Sequence, residues 1–231
     1  MTQLIVALDE PDYDRARFIV EQTAPDVRWY KVGYEAYCGY GDQILTLLRK
    51  TGKSIFLDLK LHDIPNTVGA AVRAAARSGA SLITLHASGG SAMIAAASAA
   101  RVEYNAAGGK LRLLAVTVLT SLNAEDLRAL GINGSPEEQV LRLATLASAA
   151  GADGAVCSVA EAPAVRSTCG ASFVLLCPGI RPAGADAQDQ RRVATPADAV
   201  RAGADFIVVG RPITKASDPG AAARAILADL S

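Results

Sequence analysis

The sequence predicts one (β/α)8 TIM barrel, an α/β fold, on three observations. Eight short apolar runs recur along the chain, each the length of a strand. Alanine-rich stretches with helical spacing separate them, several ending in glycine, a common helix stop. Polar and charged residues gather where the apolar runs end, as they do at the C-terminal face of such barrels. Strand–helix alternation of this kind implies parallel strands joined by crossover helices.

The first run, "LIVALD" (4–9), ends in Asp9 and continues "EPD" with no glycine. An open doubly wound sheet would usually carry a glycine-rich phosphate loop there, so the barrel is preferred. Alternation puts Asp9 on the face of Ile5 and Ala7. The second run, "WYKVG" (29–33), puts Lys31 on the face of Trp29. The third, "SIFLDLK" (54–60), carries two charges inside an apolar strand. Ile55, Leu57, Leu59 and Leu61 form one face, expected to meet the helices. Phe56, Asp58 and Lys60 form the other, expected to point into the barrel, with Asp63 just past the end.

The fourth run, "LITLH" (82–86), ends in His86, which either contacts substrate or, as the favoured reading, is a satisfied structural histidine ahead of the Gly89-Gly90 turn. The fifth, "LLAVTVLT" (113–120), ends in Thr120, which either bonds a heterocycle or caps the helix "NAEDLRALG". The sixth, "GAVCS" (154–158), ends in Ser158. The seventh, "FVLLCPG" (173–179), runs on to Arg181, and the eighth, "FIVVG", ends at Gly210-Arg211.

Composition bounds the rest. The chain has 231 residues, 51% of them hydrophobic, enough for one sizeable core and a single domain over 1–231. Formal net charge is zero, and no basic run with interleaved aromatics appears, so nucleic acid is not an expected partner. No apolar stretch approaches the roughly 20 residues of a membrane span. "MTQLIVALDEPD" enters a strand at once and lacks the pattern of a signal peptide. The four cysteines are scattered, with no zinc spacing to the two histidines. Reduced thiols and a cytoplasmic location are expected.

Lys31, Asp58, Lys60 and Asp9 therefore meet in the barrel mouth. Charges there are costly to desolvate unless paired, and an alternating array satisfies itself. Read as structure alone, the array is an ion-pair plug. Read as chemistry, Asp58 would repel a substrate carboxylate, while Lys60 is a fixed cation and a proton donor. Its flanking carboxylates favour the ammonium form, which makes it a poor Schiff-base nucleophile. Loss of CO2, leaving a carbanion that Lys60 protonates, fits that arrangement. The loops after the seventh and eighth strands suit a phosphate, with Arg181 and Arg211 as forks and the Gly210 N–H open to close approach. The long polar segment 181–195 reads as a lid.

These residues together resemble the orotidine 5'-phosphate decarboxylase family, in its bacterial form. The resemblance runs through "VALD", "KVG", "FLDLKLHDIPNT", "HASGG", "AVTVLTS", "PGIRP", "DQRR" and "VGRPIT", in order over essentially the whole chain. It implies conversion of orotidine 5'-phosphate to UMP and CO2, the last step of de novo pyrimidine synthesis, with no cofactor or metal. It implies that Lys60 protonates C6 of the pyrimidine and that Asp58 faces the departing carboxylate. Lys31 and Asp9 would bind the ribose hydroxyls, and Thr120 the pyrimidine. Arg181, Gln190, Gly210 and Arg211 would hold the phosphate region. Asp63, with Ile64 and Thr67, would enter the site of a partner subunit in a homodimer.

Three rival readings follow from the same residues. Magnesium-dependent sugar-phosphate relatives share D-x-K-x-x-D but tend to carry a metal-binding glutamate on the second strand, where this chain has Lys31, a residue that repels magnesium. A Schiff-base aldolase is disfavoured by the acids beside Lys60. A non-catalytic phosphosugar-binding barrel is disfavoured by the intact charged set.

Overall fold

The structure, a computed structural model, describes residues 1–182 and 194–230. Eight parallel strands close into a barrel: β1 (Gln3–Ala7), β2 (Trp29–Val32), β3 (Ser54–Leu61), β4 (Ala80–His86), β5 (Arg112–Val116), β6 (Gly154–Val156), β7 (Val174–Cys177) and β8 (Phe206–Val209). Each neighbours the next in sequence, and β8 pairs with β1. The expected barrel is therefore the observed fold.

The strands divide the apolar side chains between two cores, as alternation requires. Ile5, Ala7, Phe56, Leu82, Leu114 and Phe206 pack inside the barrel, with Trp29 set edge-on to Phe206 at a ring separation of 5.2 Å. Leu4, Val6, Ile55, Leu57 and Ile83 face outward and join the core beneath the helices. Leu59 and Leu61 pack against that outer core, as expected. The alanine-rich helices approach the sheet closely because their buried faces are small, as at Val68, Gly69, Val72, Ala75 and Ala76 on helix Pro65–Arg77.

Helix starts are chemically marked. Asp12 caps Tyr13–Thr23, and capping boxes built on Asn123, Ser135 and Thr195 open Ala124–Ala129, Pro136–Ala149 and Pro196–Arg201. Asn123, not Thr120, thus caps the helix after β5. Several strand ends also differ from expectation, β6 among them, which stops at Val156 ahead of Ser158. β1 stops at Ala7 and β5 at Val116, so Asp9 and Thr120 stand in the loops beyond, where the turn geometry rather than the pleat directs them.

The main irregularity lies in β3. Leu57 pairs with Ile83 on β4, but the next pair is Leu61 with Leu85. The β3 segment therefore bulges, and simple alternation fails between Leu57 and Leu61. Lys60 sits in the bulge at φ 41°, the only non-glycine residue with positive φ among the described residues.

One strand position tolerates no side chain. A Cβ on Gly154 would lie 2.2 Å from the Val174 carbonyl oxygen of β7 and 2.8 Å from its carbon. These are backbone atoms of a paired strand and cannot turn aside. We expect Gly154→Ala to lower stability by about 1–3 kcal/mol, or roughly 2–12 °C in thermal midpoint for a chain of this size. Urea unfolding measures it, and an unchanged midpoint would contradict the packing described.

Candidate active site

The C-terminal ends of the strands enclose a cavity of about 730 Å3. Asp9, Lys31, Asp58, Lys60, Thr120, Arg181, Gly210 and Arg211 all line it, and Phe56 and Val208 of the inner core contribute to its apolar lining. Charge is supplied by loops and strand ends, while the interior below is apolar.

Four of these residues form a continuous ionic array. The Lys31 ammonium donates to both oxygens of Asp9, at 2.8 and 3.0 Å. It also lies 3.6 Å from Asp58 Oδ2, the oxygen to which Lys60 Nζ donates at 2.9 Å. The order is Asp9, Lys31, Asp58, Lys60, with alternating sign. Lys31 stands in the middle because β2 pairs with both neighbours, Lys31 opposite Ala7 on one side and Phe56 on the other.

Asp58 is the more enclosed of the two carboxylates, with a side chain 13% accessible against 46% for Asp9. Burial pushes its pKa upward, but the charges of Lys31 and Lys60 and hydrogen bonds from Lys60 and Thr84 outweigh burial. The net effect holds Asp58 below the usual carboxylate range, so it is an anion at neutral pH. The Thr84 hydroxyl donates to Asp58 Oδ1 at 2.9 Å and accepts the Lys60 backbone N–H at 2.9 Å. One buried hydroxyl on β4 thus joins the carboxylate to the bulge.

Gly33 makes room for the array. A Cβ there would fall 2.9 Å from both Asp9 Oδ1 and Lys31 Nζ. Its backbone, at φ −96°, is open to any residue, so the requirement is for space and not for conformation.

At the other end of the cavity, Arg181 is buried beside the base of the seventh loop, its Nη1 donating to the Ile180 carbonyl at 2.9 Å. That base is closed by the Arg181 N–H on the Ala194 carbonyl and the Ala194 N–H on the Gly179 carbonyl. Arg211 opens the short helix Arg211–Thr214 behind Gly210. Gln190 and most of the expected lid segment lie outside the described residues.

Asp63, Ile64 and Thr67 do not line this cavity. Asp63 is exposed and its Oδ1 accepts the Ile64 N–H at 2.6 Å, while the Ile64 side chain is 66% exposed. Asp63 and Thr67 border a separate recess of about 410 Å3, with Tyr34, His62 and His86, which meets the main cavity only at Lys60. His86 belongs to this recess, its ring 5.3 Å from that of His62. Burial, with His62 and Lys60 nearby, outweighs the attraction of Asp58 and lowers its pKa, which keeps it neutral near pH 7.

Sequence reasoning missed Thr84, Gly33 and Tyr34. Thr84 had a signal, since alternation puts it between Leu82 and His86 on the inward face. Among the described residues, no group of three or more His, Cys, Asp and Glu side chains is placed to hold a metal ion, and no helix is long and apolar enough to cross a membrane.

This geometry has known relatives. A family model described as orotidine 5'-phosphate decarboxylase / HUMPS family matches residues 2–226. The chain is 53% identical to the orotidine 5'-phosphate decarboxylase of Anaeromyxobacter sp. (strain K) over 228 residues, 99% of this chain and 98% of that one. It is 49% identical to the enzyme of that name from Moorella thermoacetica, covering 99% and 92% of the two chains. The crystal structure of orotidine 5'-phosphate decarboxylase from Lactobacillus acidophilus superposes with a TM-score of 0.88 at 40% identity, over 100% of both chains. The array, the cavity and these likenesses together make the chain a member of the orotidine 5'-phosphate decarboxylase / HUMPS family.

Proposed function

We propose that this chain is a carboxy-lyase that converts orotidine 5'-phosphate to UMP and CO2 in pyrimidine biosynthesis, as one catalytic domain and without cofactor or metal. The observation that carries the reading is the Asp9–Lys31–Asp58–Lys60 array at one end of a cavity whose other end holds Arg181 and Arg211. The relatives named orotidine 5'-phosphate decarboxylase support the substrate.

The chemistry follows from the charges. The C6–carboxylate bond breaks, CO2 leaves, and its bonding pair stays on C6. Lys60 Nζ gives a proton to that pair and is recharged from water. Asp58, an anion at neutral pH, repels the substrate carboxylate in the ground state, and that repulsion fades as CO2 forms. The ammonium of Lys60 lies where negative charge develops, already oriented by its bond to Asp58. Lys31 and Asp9 take the ribose hydroxyls and Thr120 the base. Arg181, Gln190, Gly210 and Arg211 take the phosphate, whose remote binding energy helps to order the array.

A magnesium-dependent course is the competing reading within the family. Lys31 argues against it, because its ammonium already neutralises Asp9 and Asp58, the carboxylates a cation would need. The test is the loss of ultraviolet absorbance on adding orotidine 5'-phosphate in buffer containing EDTA. We expect full turnover in the wild type. Lys60→Ala should keep its circular dichroism spectrum and lose nearly all activity. A folded Lys60→Ala protein with more than about a tenth of wild-type rate, a barrier change under ~1.4 kcal/mol, removes Lys60 as proton donor. Inactivation by EDTA, reversed by magnesium, favours the competing course.

Gly33 offers a second check. The atoms a Cβ would strike are the ends of flexible side chains, so the array must yield while the fold does not. Gly33→Ala is expected to keep the wild-type thermal midpoint and to lose at least about tenfold in kcat/KM. Equal activity would show that the Asp9–Lys31 contact is dispensable.

The assembly proposed is a cytoplasmic homodimer in which Asp63, Ile64 and Thr67 complete the partner's site. Exposed Ile64 and the position of Asp63 outside its own cavity support it. Lys60→Ala and Asp63→Ala subunits, refolded together, then give mixed dimers with one doubly damaged site and one intact site. Random pairing makes about a quarter of all sites wild type, and activity should return towards that fraction. Mixed dimers that form yet remain as inactive as their parents would assign Asp63 to its own subunit.

A further inference from the structure

Leu59 and Lys60 share one peptide group, and both of its polar ends are held. The Leu59 carbonyl accepts the Tyr34 hydroxyl at 2.6 Å, and the Lys60 N–H donates to Thr84 Oγ1 at 2.9 Å. The two side chains come from opposite neighbours of β3. Tyr34 opens helix Tyr34–Tyr40 behind β2, and Thr84 lies in β4. The peptide between them precedes the Lys60 Cα, so its orientation sets φ of Lys60, at 41° in a region that non-glycine residues seldom occupy. Ladder pairing does not supply that conformation, because β3 and β4 are out of register from Leu57 to Leu61.

The same two residues also bear on the far end of the lysine. The Tyr34 ring centroid is 5.9 Å from Lys60 Nζ, within cation–π range. The Thr84 hydroxyl donates a hydrogen bond to Asp58 Oδ1, on the carboxylate that holds Nζ. Burial, then the charge of Asp58 and nearby Cys38, raise the Tyr34 pKa, so the phenol stays a donor at neutral pH.

We propose that Tyr34 and Thr84 are positioning residues that clamp the Leu59–Lys60 peptide and so aim the Lys60 ammonium at the reacting carbon. This rests on the decarboxylase reading above. Neither side chain lines the substrate cavity, so neither is needed to bind substrate. The clamp therefore belongs to kcat and not to KM.

The test compares Tyr34→Phe, Thr84→Val and the double variant with wild type in the full-length enzyme. Tyr34 is half exposed and its phenylalanine variant keeps the ring, so it folds. Its kcat should fall about three- to tenfold, the worth of one hydrogen bond, with KM inside about twofold. UMP should bind as before. A UMP analogue carrying an anionic oxygen at C6 should bind more weakly by the same factor as kcat. The double variant should lose less than the product of the single losses, because both act on one peptide. Thr84 is fully buried, so Thr84→Ser guards against misfolding by restoring the hydroxyl and with it most of the Thr84→Val loss.

Hydrogen exchange of the Lys60 amide reads the clamp without any substrate, and it should quicken severalfold in Tyr34→Phe. Unchanged exchange, turnover within about twofold of wild type, or equal weakening of UMP and the anionic analogue would each overturn the proposal. A wild type that does not decarboxylate orotidine 5'-phosphate sinks the functional reading instead, and amide exchange alone then decides whether the clamp exists.

Discussion

Everything in the barrel mouth depends on the ionisation of Asp58. A carboxylate with so little accessible surface is unfavourable by itself, since burial opposes its charge. It persists as an anion because two ammonium groups share one of its oxygens and a hydroxyl takes the other. Each lysine is thereby committed. Lys31 is divided between Asp9 and Asp58, and Lys60 is held by Asp58. Removing any one charge leaves an unbalanced neighbour in a poorly hydrated place, and such deletions are costlier than the net worth of the pair. The array is thus rigid for electrostatic reasons before any ligand arrives, which is the condition for preorganised catalysis.

Backbone strain is concentrated at the same point. Lys60 takes a conformation that costs of order 1–3 kcal/mol for a residue with a Cβ. A regular strand would avoid this cost, but it would send successive side chains to opposite faces through Leu59, Lys60 and Leu61 with no freedom to adjust Lys60 against Asp58. The bulge separates the two requirements. Leu59 and Leu61 stay against the outer core, and Lys60 turns to the carboxylate two residues before it. The peptide that makes the turn is offset by two hydrogen bonds, one from each flank.

How much of this was legible in the sequence depends on the range of the interactions. The eight strands and their facing follow from local period, and Ile5, Ala7, Trp29 and Phe56 lie where alternation places them. Lys31 and Asp58 were also legible, because polar residues on an inward face need a purpose. The bulge was not, because it is defined by the pairing of β3 with β4 and no local pattern records it. Gly33 drew no reading of its own, since its necessity appears only when Asp9, far away in sequence, is seen beside it. Tyr34 carries no local signal, since it is exposed, yet its hydroxyl reaches the next strand. Thr120 was placed at a strand end when it stands in the loop past Val116. That error has a simple cause, since "LLAVTVLT" remains apolar after the ladder has stopped.

The loop after β1 links the two ends of the cavity through adjacent residues. Asp9 points into the array, where Lys31 holds it. Glu10 points the other way and accepts Lys215 Nζ at 2.8 Å, just beyond the helical turn Arg211–Thr214 that carries Arg211. Glu10 is almost wholly buried, and its second oxygen has no partner among the described residues. Its carbonyl accepts the Tyr40 hydroxyl, so the loop is tied also to the helix behind β2. Burial and then the surrounding carboxylates, Glu10 first, push the Tyr40 phenol up to about 12, which keeps that donor in place at any pH the enzyme meets. A buried carboxylate with a single cation cannot let that cation go without cost. Displacement of the β8 turn must therefore be followed by Glu10 or resisted by it, and Glu10 is one bond away from the residue that fixes Lys31. The Arg211 side and the Lys31 side of the cavity are joined in this way by a short covalent path, not by a chain of side-chain packing.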